Sequence, residues 1–222
     1  MSEDFYIDSM RKIYIFSGLG VDKRVFDKID FGTLNIKFMD WIEPLENENL
    51  ESYALRISET ITDKNPILIG LSFGGMLAVE ISKIKEVKNI ILIASAKNKF
   101  ELPLIFRLAG KLKFNKLVPN SILKKQNFIT NWLFGINSDS EKKLLKNILQ
   151  DTDLKFLKWA INEIVNWKNE ISPQKCFHIH GNKDRIIPIK NVKTDFVIKN
   201  GGHFITVNKA KEIESIIFSL TK

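Results

Sequence analysis

The sequence is poor in three features that would point to particular structures or chemistries. Its 222 residues include a single cysteine, Cys176, so no internal disulfide and no cysteine-based metal site can form. The shortage of cysteine favours a reducing compartment, and we expect a cytoplasmic protein. No apolar run is long enough for a membrane span, and the acidic start does not resemble a signal peptide. Histidine is the third shortage, because positions 178, 180 and 203 are the only candidates for an imidazole base.

What the sequence does contain is enough apolar residue for a substantial core. An apolar share of 44% is ordinary for a globular protein, and 222 residues suit one α/β domain with an insertion, or two small domains. The net charge of +8 is concentrated in one stretch, residues 97–125, where Glu101 is the only acid. The basic residues of that stretch are Lys97, Lys99, Arg107, Lys111, Lys113, Lys116, Lys124 and Lys125.

The stretch around Ser72 carries the most informative pattern. Apolar, partly β-branched residues at 67–69 predict a strand that is buried on both faces. Gly-Leu-Ser-Phe-Gly at residues 70–74 then fits the pattern G-x-S-x-G, and a helical pattern follows from Met76. Strand, sharp turn and helix in this order are what a nucleophile elbow requires, and its glycines let the strand and the helix approach closely. The alternative is a glycine-rich turn that contains a serine by chance.

The rest of the chain alternates between strand and helix patterns until about residue 96. Strands that alternate with helices predict a parallel sheet with helices on both faces. Between residues 97 and 170 only helical patterns occur, so we predict a core formed by residues 1–96 and 171–222 and a helical insertion at 97–170. Strand patterns occur at residues 12–16, 34–39, 89–94, 176–180 and 195–198, and further helical patterns at 49–62 and 209–220.

A serine hydroxyl becomes a nucleophile only when a base lies within hydrogen-bonding reach and a third group orients that base. His203 follows the last predicted strand, in a loop at the carboxyl edge of the sheet, where α/β proteins bind ligands. His178 and His180 alternate along one strand, so their side chains share a face of the sheet rather than both reaching Ser72. We therefore predict His203 as the base, with a surface histidine in a turn as the alternative.

The third member is expected to be a carboxylate at the carboxyl end of a strand, between the serine and the histidine in sequence. Asp184 meets this requirement in the loop after the fifth predicted strand, although an Asx-type turn would also explain it. Asp195 stands at the start of a strand, which is the wrong end. Glu101 is a more distant alternative.

Four motifs follow one another along the chain: Ser-Gly-Leu-Gly at 17–20, Gly-Leu-Ser-Phe-Gly-Gly at 70–75, the segment 180–188, and Gly-Gly-His-Phe at 201–204. On these motifs the sequence resembles enzymes of the α/β-hydrolase fold, in particular the small, lidded carboxylesterase-like members. The resemblance implies an α/β architecture, with a mainly parallel sheet of about six strands flanked by helices. The first loop departs from the family because it begins Ser-Gly instead of His-Gly. The opening segment is also too short for the two antiparallel strands of larger members.

The resemblance further implies a serine hydrolase that cleaves a small to medium carboxylic ester, without a metal or an organic cofactor. Ser72 would be the nucleophile, His203 the base and Asp184 the carboxylate that orients it. The backbone N–H groups of Leu19 and Phe73 would form the oxyanion hole. Thioester or C–C hydrolysis, acyl transfer, and a slow-turnover receptor that uses the same residues stay open as alternatives.

The insertion would then be an aromatic-rich lid over Ser72 that sets specificity. Its first part, residues 102–114, is basic and amphipathic at helical spacing. We expect the lysines to point outward and the Leu, Ile and Phe side chains inward, in preference to contact with anionic lipid or steering of an anionic substrate. The expected partner is a small-molecule ester, and no nucleic acid is expected.

Overall fold

Short apolar runs form the centre of the structure. The computed structural model describes residues 11–113, 119 and 123–221. Within these residues six strands form one sheet in the order β2-β1-β3-β4-β5-β6, and all five strand pairs are parallel. The predicted six-stranded, mainly parallel sheet is confirmed. Its strands are β1 (Ile13–Phe16), β2 (Ile36–Met39), β3 (Ile67–Leu71), β4 (Asn89–Ile93), β5 (Cys176–Gly181) and β6 (Phe196–Ile198).

Apolar clusters cover both faces of the sheet. Along β1 the side chains alternate, with Ile13 and Ile15 in one buried cluster and Tyr14 and Phe16 in the other. A strand between two such clusters is mainly apolar on both faces, which explains the nearly uninterrupted apolar runs of β1, β3 and β4. The helices are α1 (Leu50–Glu59), α2 (Phe73–Ser82), α3 (Leu104–Lys111), α4 (Phe128–Phe134), α5 (Asp139–Asp151), α6 (Leu154–Val165), α7 (Ile205–Asn208) and α8 (Ala210–Leu220).

Residues 97–170 contribute α3 to α6, and the part of this segment that the structure describes contains no strand. This is the helical content that the sequence pattern predicts. The side chains of Asn127, Ser138 and Asp153 each accept a backbone N–H at the start of a helix, which ends the preceding loop. Leu145 of α5 and Phe156 of α6 belong to the two apolar clusters of the sheet, so these two helices are packed against it.

Helix α3 contradicts one sequence expectation. The apolar side chains of Leu104, Ile105 and Leu108 were expected to point inward, but all three are exposed. The buried residue of this helix is Gly110, whose backbone approaches α6 so closely that an added Cβ would lie 2.3 Å from the carbonyl oxygen of Val165. The close contact therefore keeps the face of α3 that carries Gly110 against the protein, and the apolar side chains on the other face point to solvent. Phe114, the last residue of the predicted amphipathic stretch, lies outside the described residues. Lys116 of the basic stretch 97–125 lies outside them as well.

Two smaller features concern α2 and Cys176. Helix α2 begins at Phe73, three residues before the helical pattern that the sequence shows from Met76. The pattern misses the first turn because Gly74 and Gly75, which lie in it, have low helix propensity. Cys176 is half-buried, and burial raises the pKa of its thiol to about 12, so the thiol is protonated and unreactive at neutral pH. No helix in the described ranges is both long enough and apolar enough to cross a membrane.

Candidate active site

Ser72 lies in a strained turn between β3 and α2. Its backbone has φ 50° and ψ −117°, a conformation that a residue with a side chain rarely adopts. The glycines around it are required by close packing. A Cβ at Gly74 would lie 2.2 Å from the carbonyl oxygen of Ser17, and a Cβ at Gly70 would lie 2.4 Å from the Cα of Gly75. The turn thus has the strained, closely packed geometry that a nucleophile elbow requires.

The structure brings together the three residues that the sequence nominated for a triad. The Oγ atom of Ser72 lies 3.0 Å from Nε2 of His203, and Nδ1 of the same ring lies 2.7 Å from Oδ2 of Asp184. Because the carboxylate accepts, Nδ1–H of His203 donates to Asp184 and Nε2 is left to accept from the hydroxyl of Ser72. His203 and Asp184 are buried, whereas Ser72 is half-buried. The arrangement can therefore move a proton from the serine to the imidazole.

Asp184 is held by backbone groups as well as by His203. Its Oδ1 atom accepts the N–H groups of Ile186 at 2.8 Å and of Ile187 at 2.9 Å. Burial alone would raise the pKa of Asp184, but the His203 ring and these hydrogen bonds outweigh it and hold the pKa below its ordinary value. The carboxylate is therefore ionised at neutral pH and its orientation is fixed.

Two further histidines, His178 and His180, lie behind Asp184, and the sequence did not predict that either contributes to the site. Nε2 of His180 donates to the carbonyl oxygen of Ile187 at 2.8 Å and lies 3.5 Å from Oδ2 of Asp184. Nδ1 of His180 accepts from Nε2 of His178 at 3.1 Å. Burial lowers the pKa of both rings, that of His178 to about 3, so both are neutral at pH 7. The two rings share one face of β5, as their alternation predicts.

The sequence did contain a signal for these contacts behind Asp184. His180 stands at the end of β5, four residues before Asp184, and its alternation with His178 points both rings to the same face of the sheet. The sequence did not predict the path of the loop after β5, which folds Asp184 back over the end of the strand.

The two alternative carboxylates are engaged elsewhere. Glu101 is buried and accepts the backbone N–H groups of Lys97 at 2.6 Å and of Lys193 at 3.1 Å. Asp195 accepts the backbone N–H of His178 at 2.8 Å. Both carboxylates thus join chain segments at the edge of the sheet, and the one that contacts His203 is Asp184.

An apolar cavity of about 210 Å³ opens beside Ser72. Apart from Ser72 and His203, the side chains that line it are apolar. The sheet region contributes residues such as Leu19 and Met76. Residues 97–170 contribute Phe106 and Phe134 among others, which identifies two aromatic side chains of this segment that face the serine. The cavity therefore lies between the sheet region and the helical segment.

The two residues expected to form an oxyanion hole both lie at this cavity. Phe73 is the first residue of α2 and is fully buried, and Leu19 belongs to the loop after β1. That loop passes close to the nucleophile, since a Cβ at Gly18 would lie 3.3 Å from the Cβ of Ser72. The N-terminus of α2 also directs the positive end of its helix dipole toward Ser72.

Helix α4 is fastened to the loop that carries His203. The carbonyl oxygen of Phe134 accepts the N–H of Phe204 at 3.0 Å, and the Phe134 ring meets the His203 ring edge to face at 5.8 Å. Arg185, next to Asp184, donates to the carbonyl oxygen of Trp132 at 2.7 Å and stacks on its ring. The helical segment thus contacts the loops of two of the three triad candidates. Among the described residues, no cluster of three or more His, Cys, Asp or Glu side chains is arranged to hold a metal ion.

Comparison with known proteins identifies the fold. No protein-family model matches the chain, and no curated protein matches it significantly in sequence. Solved structures do match. An esterase from Exiguobacterium antarcticum superposes with a TM-score of 0.71 at 14% identity, covering 95% of this chain and 91% of the other. A lipase-esterase related protein from Clostridium acetobutylicum gives 0.66 at 17% identity, covering 96% of each chain.

A bromoperoxidase from Bacillus anthracis is similar to the same extent, with a TM-score of 0.65 at 14% identity over 95% of this chain and 91% of that one. Proteins with different names therefore share this architecture. At such identities the likeness establishes a common fold, and the reaction has to be argued from the residues at the site.

Proposed function

The chain has the α/β-hydrolase fold, and we propose that it is a serine hydrolase that cleaves small to medium carboxylic esters. The observation that carries the proposal is the pair of hydrogen bonds that link Ser72, His203 and Asp184 at the wall of an apolar cavity. A buried imidazole between a serine hydroxyl and an ionised carboxylate is the arrangement that activates a serine for attack on a carbonyl carbon.

In the proposed reaction, Nε2 of His203 takes the hydroxyl proton while Oγ of Ser72 attacks the ester carbonyl. The tetrahedral intermediate then expels the alcohol, which receives that proton from His203, and an acyl-enzyme remains. A water molecule, deprotonated by the same nitrogen, attacks the acyl carbonyl. The bond to Oγ of Ser72 then breaks, Oγ takes the proton back from His203, and the carboxylic acid is released. Asp184 keeps the proton of the imidazole on Nδ1 and stabilises the imidazolium that forms in each step.

We assign the oxyanion hole to the backbone N–H groups of Leu19 and Phe73. Both residues line the cavity beside Ser72, and Phe73 follows the nucleophile at the start of a helix. Two donors there would bind the negative charge on the carbonyl oxygen in the tetrahedral intermediate. Losing one such donor typically costs on the order of a hundredfold to a thousandfold in rate.

We assign residues 97–170 the role of a lid that sets the acyl specificity. Phe106, Phe134 and Ile161 of this segment form part of the cavity wall. The wall offers no charged side chain to an acyl group, so a charged acyl group would lose its hydration without a partner. The proposed substrate therefore carries an uncharged, apolar acyl group, which argues against the steering of an anionic acyl group by the basic residues.

Labelling with a fluorophosphonate probe tests the nucleophile. The probe should modify the wild-type protein on the peptide that contains Ser72, as located by mass spectrometry, and should leave Ser72→Ala unmodified. Labelling that persists in a folded Ser72→Ala protein, or no labelling of the wild type, would overturn the proposal.

A panel of p-nitrophenyl esters, run beside matched coenzyme A thioesters, tests the reaction class. We expect turnover of uncharged esters, a maximum at short to medium acyl chains, and weak turnover of an ester with a terminal carboxylate on the acyl chain. Preference for thioesters would replace the ester assignment. Labelling of Ser72 without turnover of any substrate would point instead to a slow-turnover receptor.

A further inference from the structure

Helix α3 presents an apolar stripe to solvent. The side chains of Leu104, Ile105, Leu108 and Leu112 are between 45% and 70% exposed. On a helix with 3.6 residues per turn these four positions fall within an arc of about 100°. Phe100, which is 54% exposed, lies beside the helix because its ring contacts the guanidinium of Arg107. We call these five residues the α3 patch.

The packing of α3 holds this orientation in place. Gly110 approaches the backbone of Val165 in α6, and Phe106 lines the cavity beside Ser72. Both residues lie on the side of the helix opposite the stripe. Turning the stripe inward would replace the Gly110 contact with bulky side chains where there is no room for a single Cβ, so the exposure of the stripe follows from the packing.

Basic residues border the α3 patch. Lys111 and Lys113 are exposed at its C-terminal end. Lys99 lies 5.2 Å from the centre of the Phe100 ring, but its ammonium group is paired with the carboxylate of Glu170. The only acid between Lys97 and Lys113 is Glu101, which is buried and bonded to backbone N–H groups. The patch therefore combines an apolar centre with positive charge at its C-terminal end, from Lys111 and Lys113.

This combination fits an anionic lipid surface better than a second protein molecule of the same kind. Apolar side chains on an amphipathic helix enter the boundary between acyl chains and headgroups, while lysines meet the anionic headgroups. A second copy would offer the patch the same basic residues and no complementary charge, whereas anionic headgroups offer the opposite charge. We propose that the α3 patch is a docking surface for membranes that contain anionic phospholipid.

Docking of this kind would bring the cavity within one helix of the lipid. Phe106 lines the cavity from the side of α3 opposite the stripe, and Leu102 lines it just before the helix begins. The docking itself does not depend on the hydrolase activity, so it can be tested with a protein that lacks the nucleophile.

Cosedimentation with vesicles is the test, carried out with the Ser72→Ala protein so that lipid cannot be hydrolysed. The protein should pellet with vesicles of equimolar phosphatidylcholine and phosphatidylglycerol and stay in solution with phosphatidylcholine alone. Lys111→Gln with Lys113→Gln should weaken the binding, roughly fivefold for each lysine near the surface. Ile105→Ser with Leu108→Ser should remove the apolar part and lower the binding further.

Matched controls separate the α3 patch from general effects of charge and hydrophobicity. Lys143→Gln with Lys146→Gln removes two exposed lysines from α5, and Leu55→Ser removes an exposed leucine from α1. These variants should bind vesicles as the parent protein does. Circular dichroism and melting temperature show whether each variant is folded.

Three results would overturn the proposal. They are a parent protein that stays in solution with anionic vesicles, equal binding to neutral vesicles, and control variants that lose as much binding as the α3 variants. Sedimentation velocity tests the alternative that a second copy of the protein binds the α3 patch. A dimer that forms with rising concentration and disappears in Ile105→Ser with Leu108→Ser would make the patch an interface between copies instead.

Discussion

Two amphipathic helices of this protein turn opposite faces toward the protein interior. Helix α1 buries its apolar residues, among them Leu50, Ala54 and Ile57, against the sheet region. Helix α3 exposes its apolar residues and buries Gly110. Both have an apolar stripe at helical spacing, so the stripe alone does not determine which side is covered. What covers it depends on the neighbouring surface that the fold provides.

The neighbouring surfaces differ in kind. The sheet offers α1 a broad apolar face that is completed by α2, and burial of that face stabilises the fold. Helix α3 lies at the edge of the helical segment and packs against α6 through close backbone contact. We therefore propose a division of roles. The sheet region would provide stability and the proposed chemistry, whereas the segment 97–170 provides part of the cavity wall and an exposed surface.

Replacing Ser72 tests whether the chemistry belongs to the sheet region. Ser72→Ala should lower kcat for ester hydrolysis on the order of a millionfold, because the nucleophile is lost, while the melting temperature stays nearly unchanged. Phe106→Ala, in the helical segment, should mainly alter KM, since this side chain only lines the cavity. Steady-state kinetics with a p-nitrophenyl ester measure both. Comparable losses of kcat in the two variants would contradict the division of roles.

Replacing the carboxylates sharpens the assignment within the sheet region. Asp184→Asn should lower kcat about ten-thousandfold, because the amide no longer holds the proton of His203 on Nδ1. Asp195→Asn is the matched control, since this carboxylate accepts a backbone N–H of His178 and should hardly affect kcat. The same ester assay applies. If the two outcomes were exchanged, the proposed role of Asp184 would be wrong.

Adding a methyl group at Gly74 or Gly110 compares the tolerance of the two regions. Each Cβ would meet a carbonyl oxygen, of Ser17 at 2.2 Å and of Val165 at 2.3 Å. Gly74→Ala should lower the free energy of unfolding by about 3 kcal/mol, because β1 and α2 cannot move apart in a packed core. Gly110→Ala should cost about 1 kcal/mol and change KM, because α3 can shift at the surface. Urea unfolding curves measure the two free energies of unfolding. An equal loss of stability in Gly74→Ala and Gly110→Ala would show that the two regions tolerate an added methyl group equally well.

The pH dependence of stability should also originate in the sheet region, which contains all three histidines. Burial, followed by the neighbouring His180 ring, lowers the pKa of His178 from 6.5 to about 3. Between these values the unfolded chain binds a proton that the folded protein excludes, so stability falls as the pH falls below 6.5. Each such group contributes at most about 1.4 kcal/mol per pH unit.

Urea unfolding between about pH 7 and about pH 4 measures this slope, a range that lies above the lowered pKa of Asp184. His178→Asn keeps an N–H donor for His180 but cannot titrate, so its stability should depend less steeply on pH than that of the wild type. Parallel curves for the two proteins would show that His178 does not carry the effect.

The sequence by itself determined the elements and the order of the motifs. Strands β1, β3 and β4 are short, mainly apolar runs because each lies between two apolar layers, and the glycines around Ser72 mark a turn with no room for Cβ atoms. Both signals are local, since they depend on residues within one strand or one turn. For that reason the parallel sheet and the elbow were predictable without any knowledge of the contacts between distant segments.

Only the tertiary structure decided which distant groups meet. Asp184 and His203 are 19 residues apart and Ser72 lies more than a hundred residues earlier, yet hydrogen bonds of 2.7 and 3.0 Å join them. The loop that follows β5 brings Asp184 to within 3.5 Å of His180. The close contact of Gly110 with Val165 determines which face of α3 is exposed. Hydrogen bonds and close packing depend on distances of tenths of an ångström between separate elements, and periodicity in a sequence carries no such information.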